Sequence, residues 1–270
     1  MMTKHYENFP VASVLLPRKL RQPVGLIYTF ARQADDFADE GNLEAAQRLE
    51  LLNGFRAELD CIKAGNRPET PLFRDLATVI TQYGLPLDAF HDLLDAFSQD
   101  VVKSRYANFG EVMDYCRRSA NPVGRLLLHL YGAMERRNLA YSDAICSSLQ
   151  LINFLQDVAI DYRKGRIYLP QDEMEKYRIT ETQIARGDTG GLWSMFMQFQ
   201  VERARKLLQA GAPLGRILPG RIGLEMRMII MGGESILRKL HKSRGDVFKQ
   251  RPVLKAGDWA YMLYRAVRAK

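Results

Sequence analysis

Two Asp-x-x-x-Asp pairs, Asp35 with Asp39 and Asp157 with Asp161, stand inside segments otherwise rich in Ala, Leu, Ile and Phe. Such segments read as helices. A spacing of four puts both carboxylates of a pair on one helical face, about 6 Å apart along the axis. Like charges at that spacing weaken a helix, and aspartate is a poorer helix former than glutamate, so a compensating partner is expected. A hard divalent ion such as Mg²⁺ takes carboxylate oxygens and keeps positions for water or phosphate. Two facing helices of this kind would form a four-carboxylate cage for Mg²⁺ and a diphosphate. The alternative is a pair of solvated acidic faces.

The neighbouring residues favour the cage. Ile27, Ala31, Ala34 and Ala38 form an apolar stripe, and Tyr28, Arg32, Asp35 and Asp39 follow it one residue later. The polar set therefore lies beside the core face, where a cavity wall would be. Gln150, Asn153, Asp157 and Asp161 are bordered by Leu149 and Ile152 on one side and by Leu151, Phe154 and Val158 on the other. Carboxylates buried in this way need a partner. Asp36 reads as a supporting group or a further ligand.

Composition removes several other classes. The N-terminus, Met-Met-Thr-Lys-His-Tyr-Glu, has no apolar signal core, and no apolar run reaches membrane-spanning length. A cytoplasmic protein is expected. Cys61, Cys116 and Cys146 have neither disulfide nor zinc spacing and read as small core residues. His91 and His129 lack a His or Cys partner at metal spacing. A net charge of +8 suits an anionic partner. Nucleic acid is not expected, because the basic residues are spread along the chain without interleaved aromatics.

Helical patterns cover about residues 22–40, 43–63, 71–82, 85–102, 109–118, 123–137, 141–162, 192–210 and 221–242, and strand-like alternation is nearly absent. The expected class is all-α. In the tail, Trp259, Tyr261, Met262 and Tyr264 stand among Arg265, Arg268 and Lys270. Two readings apply there: a membrane-surface contact, or a terminal helix packed on the body.

The aspartate motifs, with Tyr115-Cys116 and Gly165-Arg166-Ile167-Tyr168-Leu169-Pro170, resemble the squalene/phytoene synthase family of head-to-head prenyl synthases. The likeness runs from about His5 to Val247. Its nearest branch is the hopanoid-pathway group that includes hydroxysqualene synthases. That placement rests on His5-Tyr6-Glu7-Asn8-Phe9-Pro10-Val11-Ala12-Ser13, Ser119-Ala120-Asn121-Pro122-Val123-Gly124 and Asn153-Phe154-Leu155-Gln156-Asp157.

The resemblance implies a single domain over residues 1–270, an isoprenoid-synthase helical bundle around one deep central cavity. Asp35, Asp39, Asp157 and Asp161, with Asn153, would hold two or three Mg²⁺ ions against the substrate diphosphate. Arg32, Arg166 and His5 would contact diphosphate oxygens. Phe9, Tyr28, Tyr115, Gln150 and Tyr168 would line the cavity or handle protons and cations, Tyr115 being counted with the four aspartates as catalytic. The chemistry is consistent with general physics. Diphosphate leaves only if its developing charge is neutralised, and the carbocation left behind needs an apolar aromatic wall.

Three departures bear on the reaction. Tyr6, Glu7 and Asn8 separate His5 from Phe9, where many relatives have His-Ser-x-Ser-Phe. Gln156 stands where many carry Arg, so a cationic diphosphate contact is expected to be missing. Ser119-Ala120-Asn121-Pro122 replaces a Val-Ala-Gly run. These favour a later half-reaction, in which presqualene diphosphate ionises, rearranges and is captured by water as hydroxysqualene. The alternatives are condensation of two farnesyl or geranylgeranyl diphosphates to squalene, dehydrosqualene or phytoene, and a non-catalytic assembly factor. NADPH is not expected, and there is no Gly-x-Gly-x-x-Gly stretch. Partner enzymes of the same pathway and a peripheral membrane contact complete the expectation. Asp100 and Arg105 read as a structural salt bridge.

Overall fold

The computed structural model describes residues 16–268. The described residues form thirteen helices: α1 (Arg18–Asp39), α2 (Ala45–Lys63), α3 (Pro71–Tyr83), α4 (Leu87–Val102), α5 (Phe109–Ser119), α6 (Asn121–Tyr131), α7 (Arg136–Arg163), α8 (Gln171–Lys176), α9 (Glu181–Arg186), α10 (Trp193–Gly211), α11 (Leu214–Ile217), α12 (Gly220–Lys242) and α13 (Ala256–Arg268). Among them the only β-type pairing is an isolated parallel bridge between Arg105 and Ile167. The fold is all-α.

Several helix ends follow from local chemistry. The first helix starts one turn earlier than the position of Pro23 suggests, so the proline sits inside it. A helical proline cannot bond the carbonyl four residues back, here that of Lys19, which instead accepts the Tyr83 hydroxyl at 3.4 Å. The pattern over 123–137 is cut at Gly132, which takes φ 66° and closes α6. Arg136 then opens α7, a longer helix than the motif alone suggests. The short helices α8, α9 and α11 were not foreseen, since segments of four to six residues carry no readable period.

Two apolar clusters organise the body. Phe30 of α1 is fully buried against Phe55, Phe73 and Phe90, with ring centroids 5.2–5.8 Å away. Leu20, Leu52, Leu76 and Leu94 join the same cluster. The other cluster is built on α7, whose Ile152, Leu155 and Val158 meet Trp193, Phe196, Leu208 and Leu237. Helices α7 and α10 approach closely at Gly211, where an added methyl would stand 2.5 Å from the Tyr141 carbonyl. Each aspartate pair is thus carried by a helix that is itself fixed in a core.

The segment after α7 joins the two halves. Ile167 N–H donates to the Ser104 carbonyl at 2.9 Å, and Gln171 N–H donates to that of Tyr106 at 2.9 Å. Arg105 adds a bidentate pair with Glu181 at 2.7 and 2.8 Å and donates to the Gly165 carbonyl at 2.6 Å. It forms a structural ion pair, though not with Asp100.

The tail packs on the body. Met262 and Ala266 of α13 are fully buried beside Met228 of α12, with Trp259 against them. No helix among the described residues is long and apolar enough to cross a membrane. Replacing Phe30 by Ala should lower stability by about 3–5 kcal/mol, measured by urea unfolding. A loss below about 1 kcal/mol would show that the aromatic cluster does not hold α1 in place.

Candidate active site

The carboxylates of α1 and α7 end up in unlike surroundings. Asp39 accepts from Lys164 at 2.8 Å and forms an ion pair with Arg166, both from the loop that follows α7. Although burial opposes it, these two cations hold the Asp39 carboxyl below the usual carboxylate range. Among the described residues, the one ion pair of Asp35, one turn earlier, is a long contact of 3.4 Å with Arg32. Burial, and then the neighbouring Asp39, pushes its carboxyl up to about 6. Arg32 also pairs with Asp36, so Asp36 supports the site through that guanidinium.

The second pair repeats the asymmetry. Asp157 is held by Arg251, whose Nη2 donates to Oδ2 at 3.0 Å. Among the described residues no cation is bonded to Asp161, and burial followed by the charge of Asp157 pushes its carboxyl up to about 8. Arg166 and Lys164 lie near enough to lower it partly, and Asp39 near enough to raise it. One loop therefore sits between the two acidic faces.

Behind them lies a buried polar hub. Asp100, at the end of α4, accepts the Tyr115 hydroxyl at 2.6 Å and the Tyr168 hydroxyl at 2.8 Å. It is not the salt-bridged residue that its sequence context suggests, because two phenols and not Arg105 satisfy it. Burial pushes the Asp100 carboxyl up to about 6, against the lowering effect of the Tyr115 hydrogen bond. Burial, and then the charge of Asp100, keeps the Tyr115 and Tyr168 hydroxyls protonated far above their ordinary range. Their rings form an aromatic wall with Phe154 and Tyr106. Phe154 and Tyr168 stack at 3.9 Å with 4° between planes, and Tyr106 stacks on Tyr168 at 5.5 Å.

Of the remaining expected residues, Tyr28 and Gln150 are half-buried on α1 and α7, and Asn153 is exposed one turn before Asp157. His5 and Phe9 lie outside the described residues. Arg166, expected to contact diphosphate oxygens, has its guanidinium paired with Asp39. Position 156 carries no cation, and Arg251 brings a guanidinium to the adjacent Asp157 instead. No spacing could have revealed Arg251, which lies 94 residues from its partner. All three cysteines are free; Cys116 is buried as expected, whereas Cys61 and Cys146 are half-buried. His91 faces Asp60 at 3.5 Å, away from these residues.

Whether the set suits a divalent cation and an anion can be judged from its unmet needs. Among the described residues no three His, Cys, Asp or Glu side chains converge on one point as a ready metal cluster. Yet Asp35 and Asp161 are carboxylates whose burial is only partly compensated. Arg251 Nη1 is buried with no hydrogen-bond partner among the described residues. Oxygen donors short of positive charge and a guanidinium with one nitrogen still lacking an acceptor fit Mg²⁺ together with a diphosphate.

The all-helical fold is shared with solved structures. A dehydrosqualene synthase in complex with ligand superposes with TM-score 0.84 at 21% identity, over 95% of this chain and 89% of that one. The squalene synthase HpnC from Alicyclobacillus acidocaldarius superposes with TM-score 0.81 at 34% identity, over 89% and 90% of the two chains. The squalene/phytoene synthase family model matches residues 2–258, and the chain belongs to that family. It is 37% identical to the hydroxysqualene synthase of Zymomonas mobilis, over 87% of this chain and 79% of that protein. It is 34% identical to that of Rhodopseudomonas palustris, over 99% and 90%. A phytoene synthase from Arthrospira platensis is 30% identical over 92% and 84%.

The hub yields a pH prediction. The free Asp carboxyl titrates near 3.8 and the folded one near 6, so between these values the folded state binds more protons. Stability from this group is then lost as pH rises from about 4 to 6 and is constant above. Asp100→Asn has no such slope. The wild-type advantage over the variant should shrink by roughly 3 kcal/mol across that window, as read by urea unfolding at several pH values; parallel profiles would contradict it.

Proposed function

We propose that this chain ionises presqualene diphosphate and lets water capture the rearranged carbocation, releasing hydroxysqualene, diphosphate and a proton. The observation that carries the ionising role is the asymmetry of the two aspartate pairs. Each helix offers one carboxylate neutralised by a basic residue and one left short of positive charge. Capture by water is supported by the hydroxysqualene synthases among the relatives, at 33–37% identity.

In this reading Asp35, Asp39, Asp157 and Asp161, with Asn153, hold Mg²⁺. When bound, Mg²⁺ supplies Lewis-acid neutralisation of the departing diphosphate. Arg32, Arg166 and Arg251 orient diphosphate oxygens as fixed cations. Tyr28 and Gln150 border the substrate, and the roles of His5 and Phe9 rest on the sequence resemblance. The wall of Phe154, Tyr115, Tyr168 and Tyr106, in which Tyr168 stacks on both Phe154 and Tyr106, borders the carbocation and excludes bulk water from it. The proton lost by the captured water passes to Tyr115 Oη as that hydroxyl gives its own proton to Asp100 Oδ2. Water, not hydride, ends this reaction, so NADPH has no part in it.

Delivery of a long apolar substrate fits a peripheral membrane contact. Tyr261 and Tyr264 of α13 share a face and are 47% and 52% exposed, and Arg238 and Arg265 lie over the Tyr261 ring. Partner enzymes supplying presqualene diphosphate belong to the same reading. The family's condensing members support the second reading, head-to-head joining of two linear prenyl diphosphates.

The purified protein with Mg²⁺ should be given presqualene, farnesyl and geranylgeranyl diphosphate separately, and the products analysed. Hydroxysqualene should form from presqualene diphosphate without NADPH, and Asp157→Asn should lower the rate by about 100-fold or more. C30 or C40 hydrocarbon from the linear substrates would replace this reading with condensation. No diphosphate release from any of the three would leave a non-catalytic protein.

A further inference from the structure

We infer that Gln156 is a positioning residue: it latches the segment between α12 and α13 onto α7, so that Arg251 stands at Asp157. This deepens the proposed function and rests on Asp157 and Arg251 belonging to the diphosphate site. Gln156 is 1% exposed, and its Nε2 donates to the Pro252 carbonyl at 2.6 Å. Consecutive residues of α7, Gln156 and Asp157, thus meet consecutive residues of the segment, Pro252 and Arg251.

The segment has no regular structure of its own between Ser243 and Lys255, so its backbone depends on side chains from the helices. Trp193 of α10 donates to the Gly245 carbonyl at 2.9 Å, and Lys239 of α12 donates to that of Val253 at 2.7 Å while pairing with Asp258. Gln156 supplies the α7 tie. The residue type matters at this place. A buried carbonyl requires a donor, which Leu lacks and an ionised Glu lacks. An arginine at 156 would put a second guanidinium beside Arg251, competing for Asp157. The glutamine therefore exchanges a cation on α7 for a cation brought by the strap, with Arg251 Nη1 buried and without a hydrogen-bond partner among the described residues.

The test uses the intact chain with Gln156→Leu, Arg251→Leu and both together, and two readouts. The first is tryptic cleavage after Lys249, whose side chain is 86% exposed, followed by mass spectrometry; the Arg251–Pro252 bond resists trypsin. Gln156→Leu should speed that cleavage about tenfold while the melting temperature stays within a few degrees of wild type. The second is turnover of presqualene diphosphate. Gln156→Leu should lower kcat/KM about 10- to 100-fold, and the double variant should be no worse than Arg251→Leu alone, because the glutamine acts through the arginine. Unchanged cleavage, or losses that multiply in the double variant, would overturn the inference. If Leu disturbs folding, Gln156→Met removes the donor at similar length and without charge, and carries the same expectations. Absence of diphosphate release by the wild-type chain would instead overturn the proposed function, with cleavage after Lys249 then deciding the latch by itself.

Discussion

Placing four carboxylates on two helices creates a repulsion that the rest of this molecule is arranged to contain. Hydration cannot relieve it where the helices are buried, so positive charge has to come from elsewhere in the chain. It arrives by two routes. The loop after α7 sends Lys164 and Arg166 back to Asp39, and the strap before α13 sends Arg251 to Asp157. Each route satisfies one aspartate of a pair and leaves the other, Asp35 or Asp161, inclined to keep its proton. A protein built only for stability would gain by replacing such residues with apolar ones. Their presence makes sense where cation and anion arrive together.

The loop that carries Arg166 is itself fixed with unusual care. It is paired to the 104–107 segment by backbone hydrogen bonds and held by Arg105, which also grips Glu181. Two residues beyond Arg166, Tyr168 enters the phenol hub around Asp100. Polar groups that would manage an anion and aromatic groups that would manage a cation are thus delivered by one short stretch. A displacement of that stretch would disturb both, because the acidic faces and the aromatic wall share it.

Much of this was legible from residue order. The 3.6-residue period marked the long helices, because each buries a broad apolar stripe, as α1 does with Ile27, Phe30, Ala34 and Ala38. The Asp-x-x-x-Asp spacing put the carboxylates on one face, since i and i+4 overlap in any helix. Less legible were the ends. Gly132 divides what reads as one helix, and Pro23 is tolerated inside another because Tyr83 takes the carbonyl it frees. Asp100 gave no periodic sign of its role, as it depends on phenols 15 and 68 residues away.

The sequence by itself determined the all-α class and the two acidic helices, which rest on short-range spacing within single helices, and the likeness to prenyl synthases, which rests on short local motifs. Only the tertiary structure decided which cation meets which carboxylate, that Arg251 stands where Gln156 leaves no charge, and that Asp100 is held by tyrosines. Those are contacts between segments far apart in the chain. Their geometry is set by how the helices pack, and no local pattern of residues encodes it.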